Sequence, residues 1–241
     1  MQTIDLFIRT YAGDAQWLPY CLRSIKKYCS GFSDFIIVTP ESSRSVIEPI
    51  ALKYGAKFFV CDQLNEDDYV GQQGTKMMAD TWCNADVICY VDSDVIFIRD
   101  TTPALIISDT GCINMIKTAY TTIECPWQSI TEKAVGFPVE FEYMRRMPLS
   151  YNRDLLEFAR KHIEKTHGRT FQQFINEVPG RHLSEFNILG SIADKFMSEK
   201  FNWMNTSIDN LPEVYAKQFW SWGGINSEIK QQIEEILSEN T

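Results

Sequence analysis

Hydrophobic positions in the first 115 residues switch repeatedly between two periods. Ile4 to Arg9 is a short apolar run closed by Tyr11-Ala12-Gly13-Asp14. Trp17 to Tyr28 then spaces Leu18, Cys21, Leu22, Ile25 and Tyr28 three and four apart, so a strand is followed by an amphipathic helix. Phe35 to Thr39 is a second β-rich run, stopped by Pro40. A short helix with Pro49 in its first turn and Gly55 at its end leads to a third strand, Lys57 to Cys61. Gly71 to Cys83 carries Met77, Met78 and Trp82 on one helical stripe, and Val87 to Val91 is almost wholly apolar, as a strand covered on both faces is. This alternation predicts an α/β fold with a doubly wound, mainly parallel sheet.

Beyond residue 115 the alternation is lost. Ala119 to Pro138 has turn residues and aromatics without a clear period. Asn152 to Lys165 and Ser184 to Met197 read as amphipathic helices, the second with Phe186, Leu189, Ile192, Ala193 and Phe196 on one face. Gly223-Gly224 breaks the chain before a last helix, Ile225 to Leu237, striped by Ile225, Ile229, Ile233 and Ile236. No repeat or low-complexity linker divides the chain, so residues 1–241 are expected to form one domain, with a sheet-rich half to residue 115 and a helical lobe over 116–241.

Composition adds limits. With 44% hydrophobic and 23% charged residues over 241 positions the chain has material for a core, which excludes disorder. No uncharged apolar run approaches the ~20 residues of a membrane helix, and the N-terminus lacks the basic and apolar regions of a secretory signal, so a cytoplasmic protein is expected. The seven cysteines are odd in number and never form C-x-x-C, which favours buried free thiols. A net charge of −9 opposes non-specific polyanion binding. Residues 141–182 run the other way, with eight Lys/Arg, including Arg145, Arg146, Arg160 and Lys161, against five Asp/Glu, and all three histidines.

The sharpest chemical feature is Tyr90-Val91-Asp92-Ser93-Asp94-Val95-Ile96-Phe97. Two carboxylates two residues apart, in extended chain just past a buried strand, point to one side and can share one hard divalent cation. In open α/β sheets ligands bind beyond the carboxyl ends of the strands, where this pair falls. Gln73 and Lys76 share one helix face three residues apart. Arg9, ending the first strand, has the fork to engage a phosphate or a base edge. Glu185 opens a helix beside Phe186, an apolar neighbour that raises a carboxyl towards a working base. Trp220 and Trp222 suit stacking on a sugar face or closing a site, against the alternative of a core plug.

Together these segments resemble the GT-A glycosyltransferases, whose D-x-D holds a divalent metal against the diphosphate of a nucleotide sugar. I-R-T-Y-x-G-D at 8–14, the helix with Gln73 and Lys76, V-D-S-D at 91–94 and S-E-F-N-x-L-G at 184–190 follow the order of small bacterial and phage-type members. The resemblance implies a GT-A-like fold, with nucleotide-sugar binding in residues 1–115 and the acceptor side in 116–241. It implies Mn²⁺ or Mg²⁺ on Asp94 and Asp92, with Asp92 alternatively on the ribose, and the Arg9-Thr10-Tyr11 turn against the base. Lys76 would then stabilise the leaving diphosphate. Many such enzymes place a histidine ligand near residues 220–224, whereas here His162, His167 and His182 all lie upstream. Glu185 is the expected acid or base, or a ligand of sugar hydroxyls. Trp127, Arg145, Arg146 and His182 are acceptor-side candidates, His182 also an alternative ligand or acid.

The expected activity is sugar transfer from a nucleotide diphosphate sugar to a hydroxyl acceptor. A small molecule or glycan is the preferred acceptor; hydroxymethylated DNA is the alternative that the 141–182 stretch keeps open. Two other classes compete. V-D-S-D-V resembles the aspartyl-phosphate motif of HAD-type phosphatases, although that motif follows the first strand and this one follows the fourth. The third is an inactive sugar-binding module with structural carboxylates. A sugar nucleotidyltransferase is disfavoured because no Gly-rich phosphate loop follows the first strand.

Overall fold

The computed structural model describes residues 2–123 and 126–238. Its first half is built as the periodicity dictates, from β1 (Ile4–Arg9), α1 (Leu18–Tyr28), β2 (Phe35–Pro40), α2 (Arg44–Lys53), β3 (Lys57–Cys61), α3 (Asp68–Lys76) and β4 (Val87–Tyr90). The second half adds β5 (Val95–Phe97), α4 (Pro103–Ile106), β6 (Ile113–Ala119), α5 (Trp127–Val135), β7 (Phe141–Glu142) and β8 (Leu149–Asn152). It continues with α6 (Arg153–His167), α7 (Phe171–Asn176), α8 (Glu185–Phe196), β9 (Phe201–Asn205), β10 (Ala216–Gln218) and α9 (Ser227–Ser238).

The main sheet has the order β3-β2-β1-β4-β8. Its first four strands are parallel and β8 runs antiparallel to β4, with Tyr90 opposite Leu149. Ile4, Leu6, Ile8, Val87 and Ile88 are almost fully buried, as strands packed on both faces require. Two small sheets flank it: β7-β6-β9, where β6 and β9 are parallel, and an antiparallel β5-β10 pair. The mainly parallel α/β expectation holds.

The elements differ from the sequence reading in several places. Strands β8, β9 and β10 come from the half read as helical; each is only three to five residues long, too short for a period to show. Helix α2 starts at Arg44, so Pro49 lies inside it rather than in its first turn. Helix α3 starts three residues early because Asp67 caps it, its side chain accepting from the Tyr69 N–H at 2.9 Å, and it ends at Lys76 before a separate 3-10 turn at Ala79–Thr81. Helix α8 is buried at every position from Glu185 to Ala193, so it is a core helix rather than an amphipathic one, and Phe196 at its end is exposed. The stripe of α9 behaves as expected: Ile233 is fully buried against Trp17, Ile96 and Phe219, with Ile225, Ile229 and Ile236 packed around it. Six cysteines are free thiols, and burial raises the thiols of Cys21, Cys61, Cys83 and Cys89; Cys125 lies outside the described residues. No helix among the described residues is long and apolar enough to cross a membrane.

Candidate active site

Phe7 of β1 pairs with Tyr90 of β4, so the carboxyl ends of the two central strands stand side by side. Past Tyr90, the Val91 N–H still reaches Phe7 O at 2.9 Å, and then the chain turns. The Val95 N–H donates to Asp92 O at 3.0 Å, so the two aspartates sit on a tight turn and not in the extended chain that their spacing suggested. Ser93 between them points inward, its hydroxyl donating to Thr10 Oγ1 at 2.8 Å. Thr10 is itself fully buried and bonded to β2 through Val38 and Thr39, so it fastens the turn to the sheet from beneath.

Asp94 is almost buried and is held by a segment from the far end of the chain. Its Oδ1 accepts from Gln218 Nε2 at 3.2 Å, its Oδ2 from the Ser221 N–H at 2.6 Å, and its carbonyl from the Phe219 N–H at 3.0 Å. Burial raises its pKa and the Asp92 charge raises it further, while the bonds from Ser221 and Gln218 oppose both. Asp14, just past β1, responds to the same pair. Burial and the Asp94 charge push it up to about 6, with Asp92 adding to the rise and Ser221 and Arg9 opposing it.

Asp92 faces the other flank. Its Oδ1 accepts from Lys76 Nζ at 2.7 Å, and the same ammonium donates to Glu185 Oε1 at 3.1 Å. Lys76 is 5% exposed, so its ammonium is held inside the protein and not in solvent as most lysines are. Burial alone would lower its pKa; the two carboxylates outweigh that and raise it. Glu185 is the first residue of α8 and also buried. Desolvation lifts its pKa, as its apolar neighbourhood predicted, although Lys76 pulls against the rise. Gln73 lies one turn before Lys76, and its Oε1 accepts the Glu185 backbone N–H at 3.2 Å, satisfying a donor that a helix N-terminus leaves open.

Arg9 is buried at the end of β1, but its fork is occupied. Nη1 donates to Asp68 Oδ2 at 2.8 Å and Nη2 to Asp68 Oδ1, a bidentate pair with the first residue of α3. Tyr11 is 40% exposed and curls over Gly13, where a Cβ would collide with its ring. Trp220 and Trp222 are 59% and 87% exposed, which overturns the core-plug alternative. Trp220 has φ 58°, the only positive value at a non-glycine position among the described residues.

The acceptor-side candidates are more scattered. Trp127 begins α5 and is half-buried. Arg145 pairs with Glu142 at 2.9 Å, Arg146 donates to Pro212 O at 2.7 Å, and His182 is exposed on the loop before α8. His162 and His167 bond the carbonyls of Val135 and Ala134. Five of the eight cations of the 141–182 stretch, Arg145, Arg160, Lys161, Arg169 and Arg181, sit in ion pairs.

The fold therefore gathers Asp92, Asp94, Gln73, Lys76 and Glu185 at one strand edge, with Asp14, Gln218 and Ser221 beside them. The sequence reading gave those last three no role. Asp14 carried a faint signal, as the acid closing the turn after β1; Gln218 and Ser221 carried none, since one reaches Asp94 through a common amide and the other through its backbone N–H.

Among the described residues, no three His, Cys, Asp or Glu side chains are arranged to hold a metal ion. The turn supplies two carboxylates near enough for one to raise the other, each with lone pairs beyond the bonds named above. That donor set suits a hard cation held by one or two carboxylates and completed by substrate phosphates and water.

Neither protein-family models nor the sequences of curated proteins match the chain. Solved structures do. The galactosyltransferase LgtC, in complex with donor and acceptor sugar analogs, superposes with a TM-score of 0.57 at 12% identity, over 98% of this chain and 97% of that one. The chain has the GT-A fold. A Bacillus anthracis protein described as a glucose-1-phosphate thymidylyltransferase, in complex with a sucrose, matches at 0.53 and 10% identity over 99% and 97% of the two chains. The glycosyltransferase GlyE of Streptococcus pneumoniae matches at 0.52 and 10% over all of this chain and 61% of its own. At 10–12% identity these likenesses carry the fold and not the activity.

Proposed function

We propose that this GT-A chain is a divalent-metal-dependent glycosyltransferase that moves a sugar from a nucleotide diphosphate sugar to a hydroxyl acceptor. The observation that carries this reading is the Asp92-Ser93-Asp94 turn at the carboxyl end of β4, joined through Lys76 to Glu185. Mn²⁺ or Mg²⁺ held by Asp92 and Asp94 would bind the diphosphate and neutralise the charge it gains on leaving. The bond from the anomeric carbon to the β-phosphate oxygen breaks, its electron pair leaving with the diphosphate. A bond from the acceptor oxygen forms, and the acceptor hydroxyl gives up its proton. Glu185 is the carboxylate assigned to that hydroxyl; burial raises its pKa above that of an ordinary carboxylate, which makes it the stronger proton acceptor. In this reading Tyr11 and the Arg9-Asp68 pair border the nucleotide, and the exposed Trp220 and Trp222 cover the donor.

The thymidylyltransferase likeness favours nucleotidyl transfer as a second reading, against which stands the segment after β1: Thr10 to Asp14 holds a single glycine and no phosphate-binding glycine loop. An inactive sugar-binding module would have no use for two buried carboxylates and a lysine, which are costly to desolvate. A phosphatase of the aspartyl-phosphate type needs its motif after β1, not after β4.

Melting temperatures measured against a panel of nucleotide sugars with MnCl₂ or MgCl₂ test the reading. A ligand at 100 times its dissociation constant adds about 2.7 kcal/mol of stability. A metal-dependent shift with a nucleotide sugar, followed by sugar release in its presence, is the expected result. Shifts with nucleoside triphosphates and sugar 1-phosphates only would favour nucleotidyl transfer.

A further inference from the structure

A lysine next to a diphosphate site invites assignment to the phosphates. In this fold, however, the ammonium of Lys76 faces two protein carboxylates, Asp92 Oδ1 at 2.7 Å and Glu185 Oε1 at 3.1 Å, and lies 4.8 Å over the ring of Phe186. Two of its three donors are committed. The same helix holds Glu185 a second time, through Gln73 Oε1 and the Glu185 backbone N–H. The circuit closes through the core: Phe186 packs edge-on against Tyr90 at 5.5 Å, and the Tyr90 hydroxyl donates to Lys76 O at 2.9 Å. Helix α3, the end of β4 and the first turn of α8 are thus locked around one ammonium.

We propose that Lys76 is a positioning residue: it fixes the Glu185 carboxylate relative to Asp92, with Gln73 as its support, instead of binding the donor phosphates. The proposal rests on the reading that the Asp92-Asp94 turn holds a nucleotide sugar and that Glu185 serves the acceptor. A carboxylate free to rotate in a buried space samples several orientations, and a displacement of about 1 Å at a reacting group costs on the order of 10²-fold in rate. Lys76 takes up Oε1, which leaves Oε2 as the oxygen for the acceptor. Because the same ammonium touches Asp92, the donor-side carboxylate and the acceptor-side carboxylate keep one geometry.

The test is a double-mutant cycle with two readouts. Binding is measured by calorimetry with uridine, guanosine, cytidine and thymidine diphosphates, each with MnCl₂. Turnover is measured with UDP-glucose, UDP-galactose, GDP-mannose and dTDP-glucose. Lys76→Met is expected to lower kcat about 10²-fold while the nucleoside diphosphate Kd stays within about threefold, and Lys76→Arg to recover part of the loss. In a Glu185→Gln background Lys76→Met should add little, because the residue it positions is already gone. If Lys76→Met does not fold, Gln73→Leu and Lys76→Met/Glu185→Gln carry the test: a lower kcat in Gln73→Leu at unchanged Kd, and a double variant no slower than Glu185→Gln, support the proposal. A tenfold or weaker Kd with intact kcat in Lys76→Met, unchanged kcat in Gln73→Leu, or losses that multiply across the cycle overturn it. Wild-type protein that binds none of the diphosphates overturns the glycosyltransferase reading and this proposal with it, whereas binding with a multiplicative cycle overturns the proposal alone.

Discussion

The Ser221 backbone N–H donates to Asp94 Oδ2 at 2.6 Å, tying the turn after β4 to a segment 127 residues further along the chain. A backbone donor stays in place whatever side chain stands at 221, so with Gln218 on Oδ1 the main chain helps set the orientation of Asp94, while its charge belongs to its own side chain.

Asp94→Asn separates the two. The amide fills the same volume and keeps one acceptor oxygen, and it relieves the repulsion with Asp92, so the fold should be retained. Metal-dependent nucleotide binding should fall by at least about tenfold, as expected when a hard cation loses a charged oxygen ligand. Calorimetry with MnCl₂ and a nucleoside diphosphate reads the loss, and wild-type transfer rates in this variant with EDTA present would show that the D-x-D assignment is wrong.

The pKa of Asp14 gives a stability prediction with a definite sign. Its folded-state pKa of about 6 lies above the ordinary 3.8, so the folded protein takes up this proton more readily than the unfolded chain. The contribution is favourable at low pH and is lost as pH rises from about 4 through 6. Asp14→Asn should therefore melt higher than wild type at pH 7.5 and equally at pH 4, in metal-free buffer. Equal melting temperatures at both pH values would show that burial and the neighbouring Asp94 and Asp92 charges do not raise the Asp14 carboxyl.

Glu185→Gln keeps the shape at the head of α8 but cannot take a proton. A base should lose on the order of 10² to 10⁴ in kcat with donor binding unchanged. A role confined to holding the acceptor predicts a higher acceptor KM instead, and full activity eliminates both.

Arg9 is a stability residue whatever its part in the proposed site. Arg9→Ala leaves Asp68 without its bidentate partner, and because Asp68 is about one-third exposed the loss falls at the low end of the range for broken buried pairs, roughly 3 kcal/mol. Arg9→Lys keeps the charge but not the fork, and should cost about half as much. Urea unfolding compares the three proteins; an Arg9→Lys variant as stable as wild type would show that the fork geometry is immaterial.

The acceptor is expected to be a glycan or small hydroxyl compound. The positive stretch at 141–182 is largely neutralised by its own ion pairs, which leaves few cations to meet DNA phosphates. Hydroxymethylated duplex should show no binding tighter than non-specific levels, about 10⁻⁴ to 10⁻⁶ M, at physiological salt. Tight, salt-sensitive binding abolished by Arg145→Ala/Arg146→Ala would establish DNA as the acceptor.

Local pattern alone determined the β-α units of residues 4–91, the acidic pair just past the carboxyl end of β4 and the apolar setting of Glu185, because period, capping and burial are written in neighbouring residues. It left β8, β9 and β10 unread, since strands of three to five residues have no period to detect and are defined by partners far along the chain. It also misjudged the geometry around Asp92 and Asp94: alternation in a strand suggested two carboxylates on one face, whereas the Asp92-Val95 hydrogen bond makes a turn. Only the tertiary structure decided where the charges went. Arg9 found Asp68 at a separation of 59 residues, Lys76 found Glu185 at 109, and Asp94 found Gln218 at 124. Each pairing depends on which strand edges and helix ends the sheet order brings together, and a buried charge takes whatever partner that order supplies, since leaving it unpaired costs more than any local preference of its side chain.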